Sequence, residues 1–317
     1  MRLFRIAAMM LLAVPVAAAQ QYPNKPIRMI VPFAPGGGSD IVARIVGQKM
    51  TEAMGQTVVV DNRPGAASML GTELAAHAPA DGYTLLLADS SFTINQAYFR
   101  KPSYNMKQFT PVALVADTPY VLIAHPSVAA ITVKDFIALA KAQPGKINLG
   151  SSGNGSGSHI AGELFQLDTG VKLNHIPYKG SGPSTADTVA GQIQASFATA
   201  PGAVPFYKAG RLKILAAASP KRSGALPDVP TFTELGFKNV LVTNWYGVVT
   251  AAGTPRPVVQ RLYGEVARAT KLPDVRERLA AIALDPIEAN TGQFDELVSS
   301  EIKRWAKVIA DAKIQME

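Results

Sequence analysis

Apolar residues fall along this chain in short runs, and the runs obey two different spacings. Ile27 to Val31 is a continuous apolar segment that predicts a buried strand. Beyond Pro32-Phe33-Ala34-Pro35-Gly36-Gly37-Gly38-Ser39-Asp40, residues Ile41, Val42, Ile45 and Val46 recur at helical spacing, with Arg44 free to face water. The glycines allow a sharp turn, and Ser39 or Asp40 is the expected N-cap. Strand, glycine loop and helix start therefore follow one another. Such a start offers unpaired amides and partial positive charge to an anion. Asp40 works against that, because its carboxylate competes for the same amides unless it caps from the side.

The alternation continues. Gln56 to Asp61 and Tyr83 to Ala88 read as strands, with a helix over Ser68 to Ala78 between them. Three strand-then-helix units in succession predict a parallel sheet with helices on both faces. Ligands in such sheets bind beyond the carboxyl ends of the strands. Ser90 and Ser91 follow the third strand, so they belong at the same end as Gly36 to Ser39. Val112 to Ala116 and Tyr120 to Ala124 read as two strands separated by Asp117-Thr118-Pro119, a candidate crossing between domains. A helix is expected over Val133 to Ala142.

Then the opening pattern returns. Lys146 to Leu149 leads into Gly150-Ser151-Ser152-Gly153-Asn154-Gly155-Ser156-Gly157-Ser158-His159, followed by apolar Ile160, Ala161, Leu164 and Phe165. One such loop is a common feature; two, about a domain apart, predict two lobes that present helix N-termini to a shared cleft. Asn174 to Tyr178, Gln194 to Ala198 and Leu212 to Ala218 read as further strands, the middle one ending at Thr199. Pro220 to Pro230 is a second candidate crossing. Val240 to Thr250 is a strand returning to the first domain. Pro257 to Ala269 and Gly292 to Ala312 are amphipathic, the latter placing Phe294, Leu297, Val298, Ile302 and Trp305 on one face.

Composition narrows the functional classes. The 317 residues suffice for two domains, and cysteine is absent, which removes disulfides, thiolate metal sites and a Cys nucleophile. Residues 1–19 read as a secretory signal: Arg2 and Arg5 precede a short apolar run, Ile6 to Val16, and Ala17-Ala18-Ala19 precedes Gln20. Without Arg2 and Arg5 the net charge of +8 becomes +6, and the remaining basic residues are scattered, so nucleic acid is not an expected partner. Neither glycine loop carries the Lys of a Walker A motif, nor is there a dinucleotide fingerprint. A Gly-x-Ser-x-Gly elbow is missing, and His77, His125, His159 and His175 lack metal-ligand spacing. No metal and no cofactor are therefore expected. His159 either contacts an anion at the second helix start or organises its loop. Lys179 either adds charge near the cleft or is solvated. Asp187 either orients a loop or is an ordinary early-helix residue, and Trp245 either walls the cleft or fills a core.

In combination these residues resemble a known family. The chain is similar to the substrate-binding proteins of tripartite tricarboxylate transporters, the Bug family of periplasmic solute receptors, over nearly all of its length after residue 19. The resemblance rests on Tyr22-Pro23 with Pro26-Ile27, Pro32 to Gly37 with Asp40, and Asn62 to Ala66 with Gly71. It continues through Asp81 to Leu85, Gly150 to Gly153, Gly155-Ser156, His159 and Glu163 to Phe165. Pro177 to Gly180, Asp187, Pro227 to Phe232, and Trp245 with Gly247 complete it. Ala67-Ser68 stands where the family usually has Gly-Gly. Asn105, Met106 and Gln108 stand where it usually has Asp, Pro and Asp.

The resemblance implies a two-lobed, type II-like flytrap in an α/β fold, each lobe a mixed, mostly parallel sheet flanked by helices. Lobe I is expected over 20–118 plus 226–317 and lobe II over 119–225. It further implies that a small organic carboxylate is held by loop amides and hydroxyls with bridging waters. The candidate set is Phe33, Ala34, Pro35, Gly36, Gly37 and Ser39 in one lobe with Ser90 and Ser91 beside them. Ser152, Gly153, Asn154, Gly155, Ser156, His159 and Thr199 stand opposite. A monomer that serves membrane transporter subunits in the periplasm, and breaks no bond, is the expectation. A periplasmic sensor feeding a signalling receptor, or an enzyme acting on a small acid, would present the same loops; the enzyme would also need a paired base and nucleophile in the cleft.

Overall fold

The computed structural model describes residues 22–316, so the expected secretory segment lies outside the described residues. Apolar runs become strands where they are continuous. β1 (Ile27–Val31), β2 (Val58–Asn62) and β3 (Thr84–Asp89) form a parallel set in the order β2-β1-β3. α1 (Gly38–Met54), α2 (Met69–Ala76) and α3 (Ser91–Tyr98) follow them in turn. Beside β3 lies β9 (Thr243–Ala251), antiparallel, and beside that β4 (Phe109–Ala124), which also pairs with the short β10 (Asp285–Pro286).

β4 corrects the reading of two strands. It runs unbroken for 16 residues, through Asp117, Thr118 and Pro119. Residues Phe109 to Pro119 pair with β9, and residues Tyr120 to Ala124 pair with β7 (Ala195–Thr199) on one side and β8 (Lys213–Ala217) on the other. Pro119 has no amide proton to donate, but it sits at the last β9 pair, where partners change, so the missing donor interrupts no continuing ladder. The sheet thus passes from the first half of the molecule into the second along one strand. β5 (Asn148–Ser151) and β6 (Asn174–Pro177) extend the second half beyond β7, all parallel.

Helices cover both faces. In the first half, α1 and α8 (Arg256–Lys271) with α9 (Pro273–Ala280) bury Val42, Val46, Leu262, Val266 and Leu279 against β1, β3 and β4. In the second half, α4 (Val133–Ala142) and α5 (Gly157–Thr169) bury Phe136, Ile160 and Phe165 on one face, and α7 (Ala200–Lys208) buries Ala203 and Val204 on the other. α6 (Ser181–Val189) packs its first turns toward the first half. α10 (Thr291–Asp311) shows the apolar stripe read from its sequence. Phe294 and Val298 pack with Trp245 and Phe92, whereas Trp305 and Ile309 join Phe136, Phe165 and Phe232. One helix is therefore bolted to the cores of both halves. The result is a two-lobed α/β fold with each sheet mixed.

Candidate functional site

The glycine loops meet the opposite lobe rather than facing solvent separately. In the first loop, the Ala34 amide donates to the Lys179 carbonyl (2.9 Å) and the Gly38 amide to the Thr199 hydroxyl (3.3 Å). Gly36, at φ +87°, lies on Gly182 in the first turn of α6. In the second loop, Gly153 abuts Ala67, and Gly155 abuts Asn95, Tyr98 and Phe99 of the first half. At Gly155 a Cβ would come within 2.7 Å of Tyr98 and 2.8 Å of Phe99, so a side chain there would force the lobes apart.

Between the loops is a small polar cavity lined by Phe33, Gly37, Ser39, Asp89, Ser91, Tyr120, Ser152, Ser181 and Thr199. Its volume of about 10 Å³ admits roughly one water molecule. The N-termini of α1, α3, α6 and α7 converge on it, together with the loop leading into α5. Each of those termini contributes partial positive charge, although the Gly38 amide is already bonded to Thr199 and the Ser91 amide to Asp89. No Lys, Arg or His lines the cavity. The arrangement suits an anion held by amides and hydroxyls, whose hydrogen bonds to a charged acceptor are charge-assisted. Among the described residues no group of three or more His, Asp or Glu could hold a metal ion.

Of the residues predicted from sequence, Phe33, Gly37, Ser39, Ser91, Ser152 and Thr199 line the cavity. The others stand behind it. Pro35 and Gly36 are exposed at the rim, and Ala34 and Asn154 are half-buried. Ser90 is fully buried and donates to Asn244 from its amide (3.0 Å) and hydroxyl (2.5 Å). Ser156 is the N-cap of α5: its hydroxyl donates to the Gly153 carbonyl (2.6 Å) and accepts from the His159 amide (3.3 Å). His159 organises the loop, its Nδ1 accepting from the Gly155 amide (3.2 Å) and its ring stacked on His175. Burial pushes the His159 imidazole down to about 3, with His175 adding to the effect, so the ring is neutral and brings no charge to an anion. Lys179 is exposed, Asp187 accepts from the Tyr178 hydroxyl (2.8 Å), and Trp245 is a core residue against Phe294.

Asp89, Tyr120 and Ser181 escaped the sequence reading. Asp89 ends β3, where an acidic residue followed by serines reads as a turn. Its Oδ1 accepts from the Ser91 amide (2.9 Å) and its Oδ2 from the Ser39 hydroxyl (3.2 Å). Burial pushes its carboxyl up to about 6, against those hydrogen bonds.

One expectation about the first loop changes and one gains detail. The N-cap of α1 is Gly37, not Ser39 or Asp40, whereas Arg44 faces water as expected and also pairs with Asp40. Asp40 reaches back to the Gly36 amide (3.1 Å), accepts from Asn62 Nδ2 (3.1 Å), and pairs with Arg44 (2.8 Å). The carboxylate therefore braces the loop from its outer side and is neutralised there, instead of competing inside the cavity. Burial alone would raise its carboxyl, but the bonds from Arg44, Gly36 and Asn62 outweigh this and hold it below the ordinary 3.8. A depressed carboxyl stabilises the fold above its unfolded pKa and loses that contribution as pH falls through the folded value. Asp40→Asn is accordingly expected to lower stability by about 1 kcal/mol near pH 7. The gap to the unmutated protein should shrink toward pH 3, a comparison that thermal melts of both proteins would read. The departure at Ala67-Ser68 also acquires a setting: Ala66, Ala67 and Ser68 all adopt left-handed backbone, at φ 45°, 48° and 81°. A glycine pair fits there at less strain.

The comparisons with known proteins identify the family and the fold. A family model described as tripartite tricarboxylate transporter family receptor matches residues 42–314. Protein BugT of Bordetella pertussis is 37% identical over 309 residues, covering 96% of this chain and 94% of its own. The structure of periplasmic binding protein BugD superposes with a TM-score of 0.90 at 33% identity, covering 93% of this chain and 100% of that one. An R. palustris protein solved with adipate gives 0.89 at 31% identity, covering 93% and 99%. MatC from Rhodopseudomonas palustris, solved with malate, gives 0.87 at 31%, covering 91% and 100%. The chain belongs to the tripartite tricarboxylate transporter receptor family, whose members are periplasmic solute-binding receptors and not enzymes.

Proposed function

We propose that the protein captures a small organic carboxylate in the periplasm and delivers it to a membrane transporter. The carrying observation is the convergence of several helix N-termini on one hydroxyl-lined cavity between two lobes. Relatives solved with adipate and malate support the carboxylate, and the family description supports the transporter. A ligand enters by parting the lobes, since the cavity between them is far smaller than a diacid. Its carboxylate is then held by the amides around Gly37 and Ser181 and by the hydroxyls of Ser39, Ser152 and Thr199. Closure excludes water and strengthens each of these bonds. The lobes are taken as 20–118 plus 226–317 and 119–225, and residues 1–19 as the export signal.

A thermal-shift screen of carboxylic acids tests the capture step, because a ligand that binds only the folded state raises the melting temperature by mass action. If no acid raises it, the reading fails. For an acid that does, Ser152→Ala combined with Thr199→Val is expected to reduce affinity about tenfold or more. Calorimetry reads the loss, and an unchanged melting temperature without ligand shows that the fold is intact. Delivery is tested by uptake of that acid in cells with and without the gene.

A further inference from the structure

Asp89 is out of place in an anion site. It is 4% exposed, it lines the cavity, and neither carboxyl oxygen meets a cation among the described residues. The ionisable side chains that feel its charge are Tyr104, Tyr120 and Tyr246, all buried phenols. The one amide and one hydroxyl it accepts from leave each oxygen with a free lone pair. The Ser91 hydroxyl in the same wall and the Tyr246 hydroxyl, which lies against Gly38, are fully buried and make no hydrogen bond of good geometry, although the first lies close to Asp89 and the second close to Thr199 and Asn244.

A ligand carboxylate seated on the helix termini therefore comes beside a second, fixed carboxyl in a site that excludes water. Two such groups cannot both be charged unless something positive lies between them; without it, one of the two stays protonated. A buried acid without a partner is costly, and a partner within the ligand removes the cost. We infer that the preferred ligand is a carboxylate that carries its own protonated amine, with the carboxylate on the helix termini and the ammonium on Asp89 and the Ser91 hydroxyl. Asp89 is then the residue that separates amino acids from plain mono- and dicarboxylates. The inference rests on the carboxylate-receptor reading and narrows it.

The test is calorimetry on matched pairs that differ only in the α-amine: L-glutamate with glutarate, L-aspartate with succinate, L-alanine with propionate, and L-phenylalanine with 3-phenylpropionate. The unmutated protein is expected to prefer the amine-bearing member of at least one pair by about tenfold or more. Asp89→Asn keeps an oxygen for the Ser91 amide, and should erase that preference while plain acids bind more tightly than before. The preference of the unmutated protein stands as a readout even if the variant fails to fold. Binding of plain acids alone, or a preference that survives in Asp89→Asn, overturns the inference and leaves the carboxylate receptor standing. Absence of binding by every acid of both kinds in this panel and in the thermal-shift screen overturns both.

Discussion

Gly182→Ala is expected to weaken carboxylate binding by roughly one to two orders of magnitude without unfolding either lobe. The residue sits in the first turn of α6, where a methyl group would collide with the Pro35 carbonyl oxygen and come to 3.0 Å from the Gly37 amide nitrogen. Both are backbone atoms of the opposing loop, so no rotamer change relieves the contact. Within its own lobe the substitution is harmless, because alanine favours the helix over glycine by about 1 kcal/mol in an interior position. The melting temperature without ligand should hold or rise while calorimetric affinity falls. Unchanged affinity would mean that the loops do not approach this closely around the ligand, and that the cleft geometry described above is not the binding geometry.

Trp305→Ala should be the most damaging single truncation for stability, costing about 3–5 kcal/mol. The indole is fully buried among Phe136, Phe165 and Phe232, and its Nε1 donates to Glu301 (2.7 Å). Glu301 keeps Arg304 as a second partner (2.9 Å), so the loss is chiefly the cavity left by the ring and not an orphaned charge. Trp305→Phe, which keeps much of the volume and loses the donor, should cost about 1–2 kcal/mol. Urea denaturation midpoints for the two variants rank the effects; equal losses would assign the role to the hydrogen bond instead of the packing.

Trp305 also shows what a sequence makes legible. Its helix has one wet face and one dry face, so spacing alone identified the apolar stripe. β1, β3 and both glycine loops were equally readable, because continuous apolar runs next to turn chemistry have few alternatives. α3 was not. Ser91 to Asn95 are all buried between the lobes, so polar and apolar residues alternate there without a solvent face to sort them. α7 was hidden for another reason: Ala200-Pro201-Gly202 looks like a turn, yet the proline stands at the helix start, where it is tolerated. The cavity itself was half legible. Residues beside the glycine loops were found, whereas Asp89, Tyr120 and Ser181 come from strand and helix ends distant in sequence, and only the folded chain brings them together.

The uninterrupted course of β4 bears on how this molecule could be divided or rebuilt. Residues Tyr120 to Ala124 are the central strand between β7 and β8. A fragment cut just after them would leave two unpaired sheet edges in the middle of what remained, inviting aggregation. Neither half is a portable module that could be expressed alone or grafted onto another receptor by joining at a loop. A chimera that exchanges one half must instead splice inside a hydrogen-bonded ladder and carry matching faces for α10.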